Sequence, residues 1–212
     1  MKVLEVKNLS KCFNKIPVLN NLSLDVNSGE IVSIIGPSGI GKSTLLRCIC
    51  GLEKIDEGEI IINEKRLSIE IAKSANLAVG MVFQDYNLFP QYSILDNITL
   101  PLIKVLKITK IEATEIAKKI LLQMHLLEKI NSYPYQLSGG EKQRLAIART
   151  LAMNPKIICF DEPTSALDPE LVKHLFKIIK ELSEKGTAIL IVTHDIKFAN
   201  DISDKIIEIK KG

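Results

Sequence analysis

Short apolar runs recur along this 212-residue chain, separated by segments with helical spacing. Two of the predicted strands, 157–160 and Ala188–Thr193, consist of continuous apolar residues over 157–160 and 188–192, which predicts central parallel strands buried on both faces. Residues 18–26 alternate in part between apolar and polar positions, as expected for an antiparallel strand with one wet face. Further strands are predicted at 3–6, Ile31–Ile35, 58–62, 79–83 and 206–209. Strands that alternate with helices indicate an α/β layered domain with right-handed crossovers.

The middle of the chain follows a different pattern. Residues 87–154 carry helical signals and little strand, and Thr109 with Glu112 forms a predicted capping box. Apolar residues then recur at helical spacing and predict a helix face that packs on a neighbour: Ile116, Ile120, Met124 and Leu127. We therefore expect one domain over residues 1–212, with an α/β core of 1–86 and 155–212 and an inserted, mostly helical subdomain of about 87–154.

A glycine-rich loop follows the predicted strand Ile31–Ile35 and precedes a helix. It fits the pattern G-x-x-x-x-G-K-[ST], which in this context predicts a phosphate cradle. Backbone N–H groups and the helix N-terminus attract the phosphates, Lys42 reaches the β- and γ-phosphates, and the Ser43 hydroxyl ligates Mg²⁺. The alternative to a phosphate-binding loop is a glycine-rich turn that only connects the strand to the helix. The predicted nucleotide-binding residues are Gly36, Pro37, Ser38, Gly39, Ile40, Gly41, Lys42, Ser43 and Thr44.

Bulk composition narrows the class of protein. The chain is 46% hydrophobic, enough for a sizeable core, and its net charge of +3 is too balanced to favour a nucleic-acid partner. The four cysteines show no zinc spacing, so we expect free thiols in a reducing cytosol. No apolar run is long enough for a signal peptide or a membrane span, and we expect none.

Two carboxylates, Asp161 and Glu162, follow the buried strand 157–160 directly. Ligands of open α/β sheets lie at the carboxyl ends of the strands. Asp161 can hold Mg²⁺ there, directly or through water, and Glu162 can act as the general base that polarises a water molecule at the γ-phosphate. A solvated turn is the alternative for such an acidic pair.

A helix is predicted over residues 141–153, and its N-terminus is formed by the segment Ser138, Gly139, Gly140 and Glu141. Ser138 and Glu141 fit a capping box, which is the purely structural interpretation. A cap does not need two adjacent glycines, however, and bare backbone at a helix N-terminus can bind a second anionic group.

With these motifs in order, the chain resembles the ATPases of ABC transporters over essentially its whole length. Residues 137–144 resemble the family's signature motif, Gln84 its Q-loop glutamine, Asp161 and Glu162 its Walker B aspartate and catalytic glutamate, Asp168 its D-loop aspartate, and His194 its switch histidine. Phe13 falls where the family places an aromatic that stacks on adenine, although core packing is the alternative for this residue. The resemblance implies a P-loop NTPase (RecA-like) core with an antiparallel β subdomain and an inserted α-helical subdomain.

The resemblance also implies the ligands and the mechanism. It implies ATP and Mg²⁺, with metal ligation by Ser43, Gln84 and Asp161, and catalysis by Glu162, His194, Gln84 and Lys42. In the family, two ATPase domains pack head to tail, and each nucleotide lies between the phosphate loop of one and the signature of the other. We therefore expect a homodimer or a paired ATPase subunit, with Ser138, Gly139, Gly140 and Glu141 acting in trans and Asp168 making contacts across the interface.

Several stretches resemble the ATPases of bacterial polar amino acid importers, of the glutamine type: 45–49, 80–84, 87–90, 133–140 and 161–171. This resemblance implies permease subunits, an indirect periplasmic solute-binding partner, and a peripheral position at the cytoplasmic face of the inner membrane. Tyr86, Leu88, Phe89 and Tyr92 are either a docking surface for a permease or internal packing. The chain departs from these subunits at Glu141-Lys142-Gln143, where they usually continue with glutamines, and in being shorter at its C-terminus. An ABC exporter, a lipoprotein-release ATPase and a soluble non-transport ABC ATPase are the alternatives.

Overall fold

A five-stranded parallel sheet forms the centre of the computed structural model, which describes residues 1–67, 78–165 and 167–209. Its strands are β3 (Ile31–Ile35), β6 (Val79–Val82), β7 (Ile157–Asp161), β8 (Ala188–Thr193) and β9 (Lys205–Glu208), in the spatial order β6-β7-β8-β3-β9. All residues of β7 and β8 are buried, as their continuous apolar sequence predicts.

A second sheet is antiparallel and contains β1 (Lys2–Phe13), β2 (Ile16–Asn27), β4 (Glu57–Ile62) and β5 (Lys65–Arg66), in the order β2-β1-β4-β5. The strand predicted at 3–6 was too short, because β1 continues to Phe13 through polar positions and several register shifts. Asn14 and Lys15 both have positive φ, as the tight turn of a two-residue hairpin requires. The short strand β5 was not predicted.

Six α-helices surround the sheets in the described residues: α1 (Lys42–Ile49), α2 (Ile94–Val105), α3 (Lys110–Gln123), α4 (Gly139–Ala152), α5 (Pro169–Glu184) and α6 (Ile196–Ile202). Helices α2, α3 and α4 all lie within the stretch predicted to be helical. The capping box of Thr109 and Glu112 at the start of α3 is confirmed. None of the described helices is long and apolar enough to cross a membrane.

The buried face of α3 differs from the one that the apolar spacing marks most clearly. Ala113, Ala117 and Leu121 are fully buried, whereas Ile116 and Ile120 pack only partly against the core. Alanines at intervals of four residues allow close approach of a neighbouring helix, and the larger isoleucines border that contact. The predicted packing face is therefore present but is centred on smaller residues.

Hydrophobic residues on the two faces of the parallel sheet form separate cores, because successive strand residues point to opposite sides. On β7, Ile158 and Phe160 join the helices α2, α3 and α4, and Ile157 and Cys159 join the core that includes α1 and the antiparallel sheet. The sheet thus supports the phosphate loop on one side and the helical region on the other. Both cores converge on the carboxyl end of β7, where Asp161 and Glu162 lie.

Candidate functional site

The glycine-rich loop leads from β3 into the N-terminus of α1. Gly39 (φ 79°) and Gly41 (φ 105°) both have left-handed backbone conformations, and Gly41 is the N-cap of α1. A Cβ atom on Gly41 would lie 2.9 Å from the carbonyl oxygen of Val18 in β2. Glycine is therefore required at this position by conformation and by space, and the loop can present its N–H groups toward an anion.

Lys42 begins α1, and its ammonium group is almost entirely buried. Its Nζ atom donates to the carbonyl oxygens of Gly36 at 2.8 Å and Pro37 at 3.1 Å. The same atom lies 3.5 Å from Oε1 of Glu162. The ammonium is thus held over the loop and beside the carboxylate at the end of β7.

Ser43 and Asp161 are joined across the site. The Ser43 hydroxyl donates to Oδ1 of Asp161 at 2.8 Å. Burial raises the pKa of Asp161 and the nearby Glu162 carboxylate acts in the same direction, whereas the hydrogen bond from Ser43 opposes the rise. A divalent cation at this position would relieve the cost of the buried negative charge, and hydroxyl and carboxylate oxygens are ligands that Mg²⁺ accepts.

Glu162 lies between the lysine and the histidine. Its φ is 46°, which is unusual for a residue other than glycine and is common at functional sites. Oε2 of Glu162 accepts a hydrogen bond from the His194 backbone N–H at 3.1 Å and lies 2.8 Å from His194 Nδ1. The Glu162 side chain is only 13% exposed, whereas that of His194 is 60% exposed. The carboxylate is therefore held in place by a cation on one side and by a solvent-facing imidazole on the other.

An open cavity of about 460 Å³ unites most of these groups. It is lined by Val18, Ser38, Gly39, Gly41, Lys42, Ser43, Thr44, Gln84, Glu162 and His194. Gln84, just beyond β6, also lines the cavity, and the family resemblance places its Q-loop glutamine at this residue. The predicted residues Gly36, Pro37, Ile40 and Asp161 support the cavity from behind and are not part of its lining.

Phe13 lies at the tip of the β1–β2 hairpin, outside the cavity lining. It is 43% exposed, so the alternative of core packing does not describe its position. The hairpin reaches the cavity through Val18, whose backbone touches the loop at Gly41. The aromatic ring is therefore exposed and is not part of the cavity lining.

Ser138 and Glu141 cap the N-terminus of α4, which begins two residues earlier than predicted. The Glu141 backbone N–H donates to Ser138 Oγ at 3.3 Å, and the Ser138 N–H donates to Glu141 Oε2 at 2.9 Å. Lys129 donates to Glu141 Oε1 at 2.6 Å, and this hydrogen bond lowers the pKa of Glu141. These residues do not line the cavity.

Gly139 and Gly140 occupy different surroundings although they are adjacent. An added Cβ on Gly139 would meet no atom within 4 Å. An added Cβ on Gly140 would lie 2.5 Å from Cδ2 of Leu171 in α5. Packing within the chain thus explains the glycine at 140, whereas no contact with residues 1–67, 78–165 or 167–209 requires the glycine at 139.

Asp168 is the N-cap of α5. Its Oδ1 accepts hydrogen bonds from the backbone N–H groups of Glu170 and Leu171, both at 3.0 Å. Within the chain the Asp168 carboxylate therefore has a structural role, and its predicted contact with a second copy stays a prediction.

Three polar side chains that the sequence analysis missed fix the loops around the site. Arg149 of α4 donates to the carbonyl oxygens of Tyr86 at 3.0 Å and Asn87 at 2.7 Å, in the loop after Gln84. Gln143 of α4, 4% exposed, donates to the Pro163 carbonyl at 2.8 Å. The signal that could have identified these side chains is a polar or basic residue on the apolar face of a predicted helix, because a buried polar group needs a hydrogen-bond partner.

The third side chain, Asn97 of α2, is fully buried and holds the segment that precedes the helix, residues 89–93. It accepts from the Phe89 N–H at 2.9 Å and donates to the carbonyl oxygens of Phe89, Tyr92 and Ser93. Phe89 and Tyr92 are about 40% exposed and meet edge to face, whereas Tyr86 and Leu88 pack against the core. The four predicted surface residues therefore divide between exposed surface and internal packing.

The donor set at the site suits a metal ion shared with a ligand. No group of three or more His, Cys, Asp or Glu residues that could bind a metal alone occurs within residues 1–67, 78–165 and 167–209. Mg²⁺ in phosphate-binding sites takes one or two protein oxygens and completes its shell with phosphates and water. Ser43 and Asp161 fit that requirement.

Comparison with known proteins gives matches in sequence and in structure. The family model described as ABC transporter matches residues 19–165. The chain is 46% identical to the arginine transport ATP-binding protein ArtM of Bacillus subtilis, over 99% of this chain and 88% of that protein. It is 44% identical to the glutamine transport ATP-binding protein GlnQ of Escherichia coli, with the same coverage.

Among solved structures, the dimeric structure of the ABC transporter cassette MJ0796 superposes with a TM-score of 0.87 at 38% identity, over 98% of this chain and 94% of that one. A post-hydrolysis state of the same cassette, bound to ADP and Pi, superposes with a TM-score of 0.86.

Proposed function

We propose that this chain, which belongs to the ABC transporter family, is the ATP-hydrolysing subunit of a transporter that imports polar amino acids. The observation that carries the proposal is the Glu162 carboxylate, held between Lys42 and His194 in the lining of the glycine-loop cavity. The amino acid substrate rests on the relatives, which are arginine, glutamine and glutamate transport proteins.

The nucleotide phosphates bind to the loop of residues 36–44. Its N–H groups and the N-terminus of α1 provide partial positive charge, and Lys42 places a full charge among the β- and γ-phosphates. Ser43 and Asp161 would hold Mg²⁺, and Gln84, which lines the same cavity, would contribute a further ligand. Bound Mg²⁺ neutralises charge that develops on the phosphates.

Hydrolysis requires a water molecule aligned with the γ-phosphate. Glu162 accepts a proton from this water as the oxygen forms its bond to phosphorus and the bond to the ADP oxygen breaks. The buried environment and the contact with Lys42 orient the carboxylate. His194, largely exposed and bonded to the same carboxylate, is placed to sense whether the γ-phosphate is present.

A second copy completes the site. The signature segment Ser138–Glu141 lies outside the cavity of its own chain, and Gly139 has open space in front of it. A head-to-tail dimer brings that segment of one copy to the γ-phosphate bound by the other, and one surface then generates two sites. ATP stabilises the dimer, and hydrolysis releases it. Residues Glu141 and Asp168 act at this interface, with an identical copy or a paired ATPase subunit.

The remaining parts of the proposal concern the assembly. Residues 1–212 form one domain, with a helical subdomain of about 87–154 between the two parts of the core. This subdomain docks on integral-membrane permease subunits through exposed Phe89 and Tyr92, at the cytoplasmic face of the cell membrane. A periplasmic solute-binding protein acts indirectly, and the balanced charge gives no reason to expect nucleic acid.

The test is the variant Glu162→Gln, which keeps the shape of the side chain and removes its basicity. We expect an ATP-dependent dimer that hydrolyses ATP very slowly, measured by light scattering after gel filtration in saturating Mg·ATP. A monomer under these conditions would count against the shared site. A pulldown of the chain from detergent-solubilised membranes tests the direction of transport. Permeases recovered together with a solute-binding protein support import, and a single large membrane subunit indicates export. Recovery of ribosomes or DNA would reject a role in transport.

A further inference from the structure

We propose that Lys11 is a positioning residue for the nucleotide base: it fixes the ring of Phe13 relative to the helix that binds the phosphates. The inference rests on the proposed function, ATP binding, and on the family resemblance, which places Phe13 where adenine stacks. It assigns a role to a buried charged residue outside the cavity lining.

Lys11 and Phe13 lie two residues apart near the end of β1, where the pairing with β2 has a register shift between Lys11 and Cys12. The Lys11 Nζ atom lies 4.9 Å from the centroid of the Phe13 ring, within the range of a cation–π interaction. The Lys11 side chain is only 9% exposed, whereas Phe13 is 43% exposed. The ammonium thus covers one face of the ring from the protein side, and a base can approach from the solvent side.

Two carboxylates hold the ammonium in place. Nζ of Lys11 lies 3.0 Å from Glu53 and 3.4 Å from Asp56, and the hydrogen bond to Glu53 raises the pKa of Lys11. Asp56 also bonds to the backbone of β1, because its Oδ2 accepts from the Cys12 N–H at 2.6 Å and its own N–H donates to Ser10 at 3.1 Å. The lysine therefore has a fixed position beneath the ring and is not a mobile surface group.

Glu53 and Asp56, which carry these two carboxylates, come shortly after the phosphate-binding helix α1 in the sequence. The N–H groups of Leu52 and Glu53 donate to the carbonyl oxygen of Arg47 in α1, at 2.8 and 3.2 Å. Helix α1 begins at Lys42. A continuous set of contacts thus connects the phosphate loop to the aromatic ring, through Glu53 and Lys11. This fixes the spacing between the phosphate site and the base site, and preorganisation of this kind favours binding.

A merely structural role for Lys11, as the counter-ion of Glu53 and Asp56, makes a different prediction. Loss of that role would disturb α1 and weaken every ligand of the phosphate loop. A positioning role affects only ligands that have a base. Inorganic tripolyphosphate carries the phosphates without a base, so it separates the two roles.

The experiment compares Lys11→Met, Lys11→Arg and Phe13→Ala in the full chain, with Lys7→Met as a matched control. Lys7 lies on the same strand and also contacts two carboxylates, Glu5 and Glu59, and it has no aromatic partner in the part of the chain that the structure describes. Calorimetry measures the dissociation constants of Mg·ATP and of tripolyphosphate. Steady-state kinetics gives KM and kcat.

We expect Phe13→Ala to weaken ATP binding on the order of tenfold, as loss of a stacked base predicts. Lys11→Met should weaken it roughly three- to tenfold through KM, with kcat and tripolyphosphate binding unchanged. Lys11→Arg keeps the charge over the ring and should restore binding to within about twofold. Lys7→Met should match the parent, and Lys11→Met should add nothing to Phe13→Ala because the two act as a unit.

The possible failures are distinguishable. If Phe13→Ala binds ATP like the parent, base stacking and the role of Lys11 both fail, whereas the phosphate site stays open to its own test at Lys42. If Phe13→Ala weakens binding and Lys11→Met does not, only the positioning role is overturned. Equal losses for ATP and tripolyphosphate in Lys11→Met identify a structural role and also overturn the proposal.

Discussion

Alanine substitutions at the two adjacent glycines of the signature segment should change stability in opposite directions. Alanine is favoured over glycine by about 1 kcal/mol within a helix, and part of that gain applies in the first turn of α4. At Gly139 an added methyl group meets no atom within 4 Å, so Gly139→Ala should stabilise the chain by about 0.5–1 kcal/mol.

At Gly140 the added methyl group would lie 2.5, 2.9 and 3.2 Å from Cδ2, Cδ1 and Cγ of Leu171. Three close contacts on one side chain require Leu171 to change its rotamer, and overpacking of this kind costs about 1–3 kcal/mol. This cost exceeds the helical gain, so Gly140→Ala should destabilise the chain by about 1 kcal/mol.

The functional effects of the two substitutions should not follow their effects on stability. In a Glu162→Gln background, Gly139→Ala should abolish the ATP-dependent dimer, although the folded chain is more stable. The added methyl group would keep the nucleotide that is bound by the other copy from approaching the backbone at residue 139. Urea unfolding measures stability and light scattering measures the dimer. A Gly139→Ala variant that dimerises at the parent's ATP concentration would remove Gly139 from the interface. A Gly140→Ala variant more stable than the parent would refute the packing argument.

Three further predictions concern single side chains. Lys42→Ala should lose turnover or bind Mg·ATP weakly, and undiminished hydrolysis would reject the phosphate site. Glu141→Gln should lower stability by up to about 0.5–1 kcal/mol at neutral pH, because Lys129 and the capping box favour the carboxylate. The lowered pKa of Glu141 makes this contribution present above its ordinary value of 4.5 and lost as pH falls through the folded-state pKa, so urea unfolding of both proteins should converge at low pH. Arg149→Met should speed proteolysis within the loop that contains Tyr86, because two carbonyl groups lose their buried partner, and an unchanged digestion rate would contradict the anchoring role.

Local patterns allowed much of the fold to be predicted. The spans Ile31–Ile35 and Ala188–Thr193 agree with the observed strands residue for residue, because buried parallel strands are nearly continuous apolar runs and Ser33 and Thr193 are the only polar residues in these two. The phosphate loop and the acidic pair after β7 are likewise local motifs. The length of β1 was missed because polar residues dominate positions 7–11, so the apolar signal ends long before the strand does.

Contacts between distant segments could not be predicted in the same way. The hydrogen bond from Arg149 to Asn87 spans 62 residues, and that from Lys11 to Asp56 spans 45. No spacing rule relates such pairs, because their proximity results from strand order and helix packing. A single sequence marks these residues only as charged positions within buried elements, and it leaves their partners undetermined.

Helix α4 connects these long-range contacts to the site. The helix begins at the signature segment, its Gln143 holds the backbone beside Glu162 through Pro163, and its Arg149 holds the loop that follows Gln84. Contact with a second copy at the N-terminus of α4 would displace this helix. Because its hydrogen bonds reach the backbone beside Glu162 and the loop after Gln84, such a displacement would move both sides of the cavity. Coupling between partner contact and catalysis then needs only one rigid helix, because the hydrogen bonds of Gln143 and Arg149 resist independent movement of the loops.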